Sequence, residues 1–141
     1  MATFKTADVA VSLRQRQGAT IPAQKRQKAE RRGRLAEWLA AGLLMLKGYR
    51  IIDRRLRGPF GEIDLVAVRG KRLAFVEVKQ RRTLDDAAAA LSDRQADRLG
   101  NAAERWLWQN ARYRDHVVGL DAIMLGHRML PRHVPNALNA W

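Results

Sequence analysis

"GEIDLVAVRGKRLAFVEVK", residues 61–79, decides how this chain is read. Two apolar runs flank the basic turn Arg69-Gly70-Lys71-Arg72, the pattern of a short β-hairpin. Acids interrupt both runs: Glu62 and Asp64 in the first, Glu77 in the second, with Lys79 close behind. Strand alternation puts Glu62, Asp64, Val66 and Val68 on one face and Ile63, Leu65 and Ala67 on the other. Leu73, Phe75, Glu77 and Lys79 share a face of the second run. A two-residue turn at Gly70-Lys71 pairs Arg69 with Arg72, and counting outward brings Asp64 opposite Glu77. A one-residue slip would separate them, so the convergence rests on the turn. Lys79 lies ~7 Å beyond Glu77 along the strand.

Upstream of this hairpin, a helix is expected from Ala29 to about Lys47, with Gly48 as its terminating glycine. Leu35, Trp38, Leu39, Gly42 and Leu46 follow helical spacing, while Ala40, Ala41 and Leu44 fill much of the far side. A helix apolar on most sides is expected to be central. "YRIIDRRLR" at 49–57 reads as an outer strand, followed by a Gly58-Pro59-Phe60-Gly61 turn. Downstream, a loop or frayed helix is expected around 85–91. Ser92 with Gln95 three residues on forms a capping box opening a helix to about Asn110. Ala96, Leu99, Ala103, Trp106, Leu107 and Asn110 mark its inner face. "VVGLDAIML" at 117–125 reads as a last strand, before a tail punctuated by prolines. The expected fold is a single α/β domain, a central mixed sheet flanked by helices in the order α-β-β-β-α-β. It spans 29–141, with 1–28 a basic, mobile arm.

The chain has 141 residues, enough for one core, and no cysteine, which removes disulfides and thiolate metal sites. Its net charge is +13 and its pI about 11.4. Residues 1–34 hold nine Lys and Arg against Asp8 and Glu30, yet the remainder is also strongly basic. Such an excess favours a polyanionic partner, nucleic acid before a membrane surface. The longest apolar run, "LAEWLAAGLLML" at 35–46, is too short to span a bilayer. The N-terminal stretch lacks the apolar region of a secretory signal, so a cytoplasmic setting is expected.

Opposed carboxylates are destabilising unless a cation lies between them. A solvated ion-pair face with Lys79 and nearby arginines would account for the hairpin acids alone. Glu37 weighs against that reading. It is the one charged residue in the twelve from Leu35 to Leu46, where a carboxylate is costly without a partner. Hard oxygen donors without cysteine or paired histidines point to Mg²⁺ or Mn²⁺ rather than zinc.

Asp64 and Glu77-Val78-Lys79, in a hairpin preceded by a helical Glu37, resemble the PD-(D/E)XK nuclease superfamily. More narrowly, "GEIDLVAV", "LAFVEVKQR" and "LPRHVPNAL" are similar to the YraN-like family of bacterial proteins, whose core resembles archaeal Holliday-junction resolvases. The resemblance covers roughly 29–138. It implies a metal-dependent endonuclease hydrolysing phosphodiesters in DNA, with branched or flapped structures among its substrates. The rival expectation is a nucleic-acid-binding module with a vestigial site, and RNA is a second candidate substrate. By the resemblance, Asp64, Glu77 and the Val78 carbonyl would hold the metal, with Glu37 a further ligand, direct or through water. Lys79 would orient or deprotonate the attacking water, or stabilise charge on the phosphate. Glu62 belongs to the motif without a separate role, and Gln95 is a supporting residue if it approaches the site. The resolvases are often dimers, which makes a homodimer an expectation, with the last strand and Trp141 as its interface.

Gln80 stands where many relatives have a small residue, and Leu120 where an aromatic commonly precedes the aspartate. Asp121 is assigned to packing or strand-end hydrogen bonding. Basic residues flanking the strands, Arg54, Arg55, Arg57, Lys71, Arg72, Arg81 and Arg82, are the expected phosphate-contacting rim. His116, His127 and His133 are irregularly spaced and read as surface or loop residues. Trp106 is assigned to the core, and Trp108 to a partner or a base.

Overall fold

The computed structural model describes residues 22–89, 91–126 and 130–139. The chain divides into two units, Met1–Arg32 and Gly33–Trp141, and the sheet belongs wholly to the second. The expected arm lies outside the described residues up to residue 21. Residues 23–28, expected to belong to it, are instead helical: the first helix, α1, runs Ala23–Leu46 and opens directly after Pro22. The Pro22 carbonyl accepts from the Arg26 amide, and proline's fixed φ suits a helix entrance.

The helix ends as its sequence dictates. Gly48 takes φ 89, the Tyr49 amide donates to the Leu44 carbonyl and the Gly48 amide to that of Met45. This paired closure is open to a glycine at little cost. Strands β1 (Arg50–Gly58), β2 (Gly61–Arg69) and β3 (Arg72–Gln80) follow. A short helix α2 (Leu84–Ala89) stands where a loop or frayed helix is expected. Helix α3 (Asp93–Gln109) is capped by Ser92, whose Oγ accepts the Gln95 amide at 3.2 Å. Strand β4 (Val117–Leu125) has the expected bounds.

A fifth strand, β5 (Arg132–Val134), lies in the proline-punctuated tail. Three residues between two prolines carry too little alternation to announce a strand. The sheet order is β1-β2-β3-β4-β5. Neighbours are antiparallel except β3 and β4, which run parallel and are joined through the two helices. β1 is an edge strand, as expected.

Each face of the sheet carries one core. On one side Ala36, Ala40, Ala41 and Leu44 of α1 pack on Leu65, Ala67, Ala74, Val76 and Ile123. On the other, Leu99, Ala102, Ala103 and Trp106 of α3 cover Val66, Val68, Leu73 and Phe75. Thus α1 is not central, and its buried side is not the expected one. Leu35, Leu39 and Leu46 are exposed, and Trp38 is 65% exposed. Two apolar stripes at helical spacing competed, and the stripe with three alanines faces the sheet, where small side chains permit close approach. Among the described residues no helix is long and apolar enough to cross a membrane.

Candidate active site

The β2–β3 register pairs Arg69 with Arg72 and Leu65 with Val76, so the two-residue turn forms as expected. One step further along the same register stand Asp64 and Glu77. There a side chain takes up the bonding: the Val78 amide donates to Asp64 Oδ2 at 2.7 Å. Glu77 Oε1 accepts from Lys79 Nζ at 3.1 Å, with the two side chains only 18% and 13% exposed.

Burial and the neighbouring Asp64 carboxylate push the Glu77 carboxyl up to about 7, against the pull of Lys79. Burial also raises Asp64, outweighing the Val78 amide and the Lys79 charge. Two half-dry acids therefore share a place short of positive charge.

Glu37 lies about four turns into α1, too deep for the helix dipole to account for it. Its side chain is 14% exposed and accepts from Arg55 Nε at 3.1 Å. Burial raises its carboxyl and the Asp64 charge adds to this, while Arg55 and Arg57 oppose them. Arg55 is a β1 residue with φ 50, a left-handed backbone that a non-glycine residue adopts at a cost. The flanking pairs Arg54 with Leu65 and Leu56 with Ile63 place it opposite Asp64. At this point β2 also departs from simple alternation, for Ile63 packs in the α3 core while Leu65 packs on the α1 side.

The expected rim separates into two groups. Arg54 and Arg57 are exposed on β1, and Arg81 and Arg82 are exposed just past the end of β3, all at the carboxylate end of the sheet. Arg54 also stacks over the Trp38 ring at 4.6 Å, and Arg57 Nη1 reaches Glu62 Oε1 at 3.5 Å. Lys71 is exposed at the far turn, ~20 Å along β3 from Glu77. Arg72 is no rim residue: its guanidinium binds both oxygens of Asp121 at 2.8 Å and reaches Tyr49 Oη and Asn136 Oδ1 at 3.1 Å. Glu62 is exposed. Gln95 sits in the first turn of α3, where its amide serves the Ser92 cap.

Asp121, expected to serve packing or strand-end bonding, is the fully buried centre of that network. His133 Nε2 lies 2.7 Å from its Oδ2, and the Asn136 amide donates to its Oδ1 at 2.9 Å. A side chain on Gly119 would collide with the Arg72 guanidinium. His133, expected at the surface, is thus a buried partner, and His116 packs edge-on against Tyr113. His127 and Trp141 lie outside the described residues. An aspartate inside the apolar run "GLDAIML" was the available signal for this network; its partners, far away in sequence, left none. Trp106 is in the core as expected, its indole donating to Asp53 Oδ2 at 3.1 Å, and Trp108 is exposed.

Among the described residues no three His, Cys, Asp or Glu side chains converge closely enough to hold a metal ion. Asp64 and Glu77 form a pair, and Glu37, engaged by Arg55, does not fit as a direct third ligand. A pair of hard carboxylates nonetheless suits Mg²⁺ or Mn²⁺, Mg²⁺ in particular often binding through one or two carboxylates while keeping several waters. The raised Glu77 carboxyl marks a charge deficit that a divalent cation would relieve.

A family model described as "Uncharacterised protein family UPF0102" matches residues 36–125. The chain belongs to this family, the YraN-like group. The matched interval holds Glu37, Glu62, Asp64, Glu77, Lys79 and Gln95. A UPF0102 protein of Rhodopseudomonas palustris (strain BisB5) is 48% identical over 125 residues, 89% of this chain and 95% of the relative. The UPF0102 protein of Nitrobacter winogradskyi is 49% identical over 108 residues, 77% of this chain and 92% of its own length. One from Mesorhizobium japonicum is 48% identical over 119 residues, covering 84% and 95%. The chain therefore matches these UPF0102 relatives along nearly their whole length.

Proposed function

We propose that this UPF0102 protein is a Mg²⁺- or Mn²⁺-dependent endonuclease that hydrolyses phosphodiester bonds in DNA, with branched or flapped structures among its substrates. The observation that carries the reading is the Asp64–Glu77 pair with Lys79 Nζ 3.1 Å from Glu77, in a chain of net charge +13. Asp64, Glu77 and the Val78 carbonyl would hold the metal, with Glu37 contributing through water. When bound, the ion would polarise the scissile phosphate and lower the pKa of a water.

The chain's own groups do the rest. The Val78 amide orients Asp64. Lys79 offers ammonium hydrogens to the phosphate or the attacking water beside Glu77. Arg55 holds Glu37 at the rim of the site, and Arg54, Arg57, Arg81 and Arg82 would meet the phosphate backbone. The rival reading, a binding module with a vestigial site, draws support from the pairing of only two acids.

Purified protein incubated with end-labelled linear, flapped and four-way-junction DNA and with RNA, under Mn²⁺, Mg²⁺ or EDTA, decides between them. Metal-dependent cutting is the expected result. Tight binding without cutting on every substrate would favour the module.

A further inference from the structure

The β1–β2 turn holds an aromatic ring that neither core uses. Gly58 pairs with Gly61, leaving Pro59 and Phe60 at the tip, and Phe60 is 51% exposed. The turn is not loosely hung. Gly61 takes φ 141, and any side chain there would collide with the Arg98 carbonyl of α3. The hairpin end is thereby seated on the helix backbone. Arg105, also from α3, lies over the Phe60 ring with its guanidinium carbon 4.5 Å from the centroid.

Beside this pair opens a cleft of about 360 Å³, lined among others by Phe60, Arg57, Arg105, Trp106, Gln109 and Asn110. That is the lower end of the size range for small-ligand sites. Its one lining acid, Asp53, accepts from the Trp106 indole, and the guanidiniums of Arg57 and Arg105 outnumber it, so the cleft is net positive. The cleft adjoins the carboxylates: Arg57 lines it, contacts Glu62, and its charge acts on both Asp64 and Glu37, opposing the rise that burial causes there. From Phe60 to Asp64 is ~13 Å along the strand, the span of about four stacked nucleotides at ~3.4 Å each.

A rigidly held aromatic ring backed by an arginine, with cationic groups and side-chain amides around a cleft, is the chemistry of a base-stacking platform. We propose that this cleft is a nucleotide subsite that takes an unpaired base of the bound strand, stacked on Phe60, with its phosphate against Arg57 and Arg105. The inference rests on the nucleic-acid reading above and deepens it. It selects strands with unpaired bases next to the cutting site over continuous duplex.

The test is fluorescence anisotropy in EDTA with a labelled single strand, a flapped duplex and a blunt duplex, for wild type, Phe60→Ala and Phe60→Trp. Wild type should bind the single strand and the flap more tightly than blunt duplex. Phe60→Ala should weaken the first two about tenfold, the scale of one lost base stack, with less than about a twofold change for the duplex. Phe60→Trp should restore the preference, which a merely structural role for the ring would not predict. An unchanged ratio of single-strand to duplex affinity in Phe60→Ala overturns the subsite while leaving the nuclease reading intact. Absence of binding to any nucleic acid by wild type overturns both. Displacement of the strand by free thymidine monophosphate at comparable concentration would make the cleft a mononucleotide site and overturn the proposal.

Discussion

The Val78 amide donates its hydrogen to Asp64 Oδ2 across 2.7 Å, so β3 orients the acid that β2 supplies. An asparagine can keep that acceptor while losing the charge; an alanine loses both and strands a partly buried amide. Asp64→Asn should therefore unfold at or above the wild-type midpoint at neutral pH, since it also removes repulsion from Glu77. Asp64→Ala should be less stable than Asp64→Asn by about 1–3 kcal/mol. Urea titrations of the three proteins measure this, and equal midpoints for the two variants would remove the bond from the account.

Glu77 gives a pH signature. Its folded-state value of about 7 lies above the ordinary 4.5, so the folded state binds this proton more tightly than the unfolded chain. Between those values the folded protein carries more protons, and stability falls as pH rises. The decline attributable to this group is on the order of 3 kcal/mol, complete once pH has passed the folded value. Metal-free wild type should lose stability between about pH 5 and about pH 8 relative to Glu77→Gln. Parallel stability curves would show that the carboxyl is not raised.

Arg55 combines a left-handed backbone, φ 50, with an ion pair to Glu37. Arg55→Ala and Arg55→Gly both delete the guanidinium, but only glycine relieves the backbone. Arg55→Gly should be the more stable of the two by about 1 kcal/mol. Thermal unfolding of the pair reads the difference, and an alanine variant as stable as the glycine variant would argue against strain at this position.

The network around Asp121 should prove structural rather than chemical. Burial alone would raise this carboxyl, but the bonds from His133 and Arg72 outweigh it and hold it at about 2. Its contribution is present above the ordinary 3.8 and is lost as pH falls toward 2. Asp121→Asn leaves Arg72 without its counter-charge and should cost about 3 kcal/mol. The variant should still bind nucleic acid where it remains folded. A midpoint unchanged in urea would contradict the network's role.

Legibility in the sequence followed the range of the forces involved. Gly70 and the alternation around it set the β2–β3 register locally, and Gly48 and Ser92 mark helix ends through bonds within a few residues. The pairing of Asp64 with Glu77 is therefore legible in the residue spacing alone. The buried side of α1 is not, because Leu35, Trp38 and Leu39 satisfy helical spacing as well as Ala36, Ala40 and Leu44 do. Only the sheet decides, by admitting the smaller set. Arg72 reads as a rim cation because its partner Asp121 is 49 residues away and buried on another strand. Arg55 is legible as a charge but not as a strained backbone, since strand alternation carries no information on φ. β5 depends on β4 for its ladder and on nothing within its own three residues.

On the proposed reading, Asp64 and Glu77 hold a metal used to cut DNA. The most direct measurement is the single-turnover cleavage rate of a flapped DNA in Mn²⁺ for wild type and Glu77→Ala, with binding of the same DNA measured alongside. Wild type should cut, EDTA should abolish cutting, and Glu77→Ala should lose it while binding the DNA about as tightly. A Glu77→Ala protein that cuts at the wild-type rate would contradict the claim.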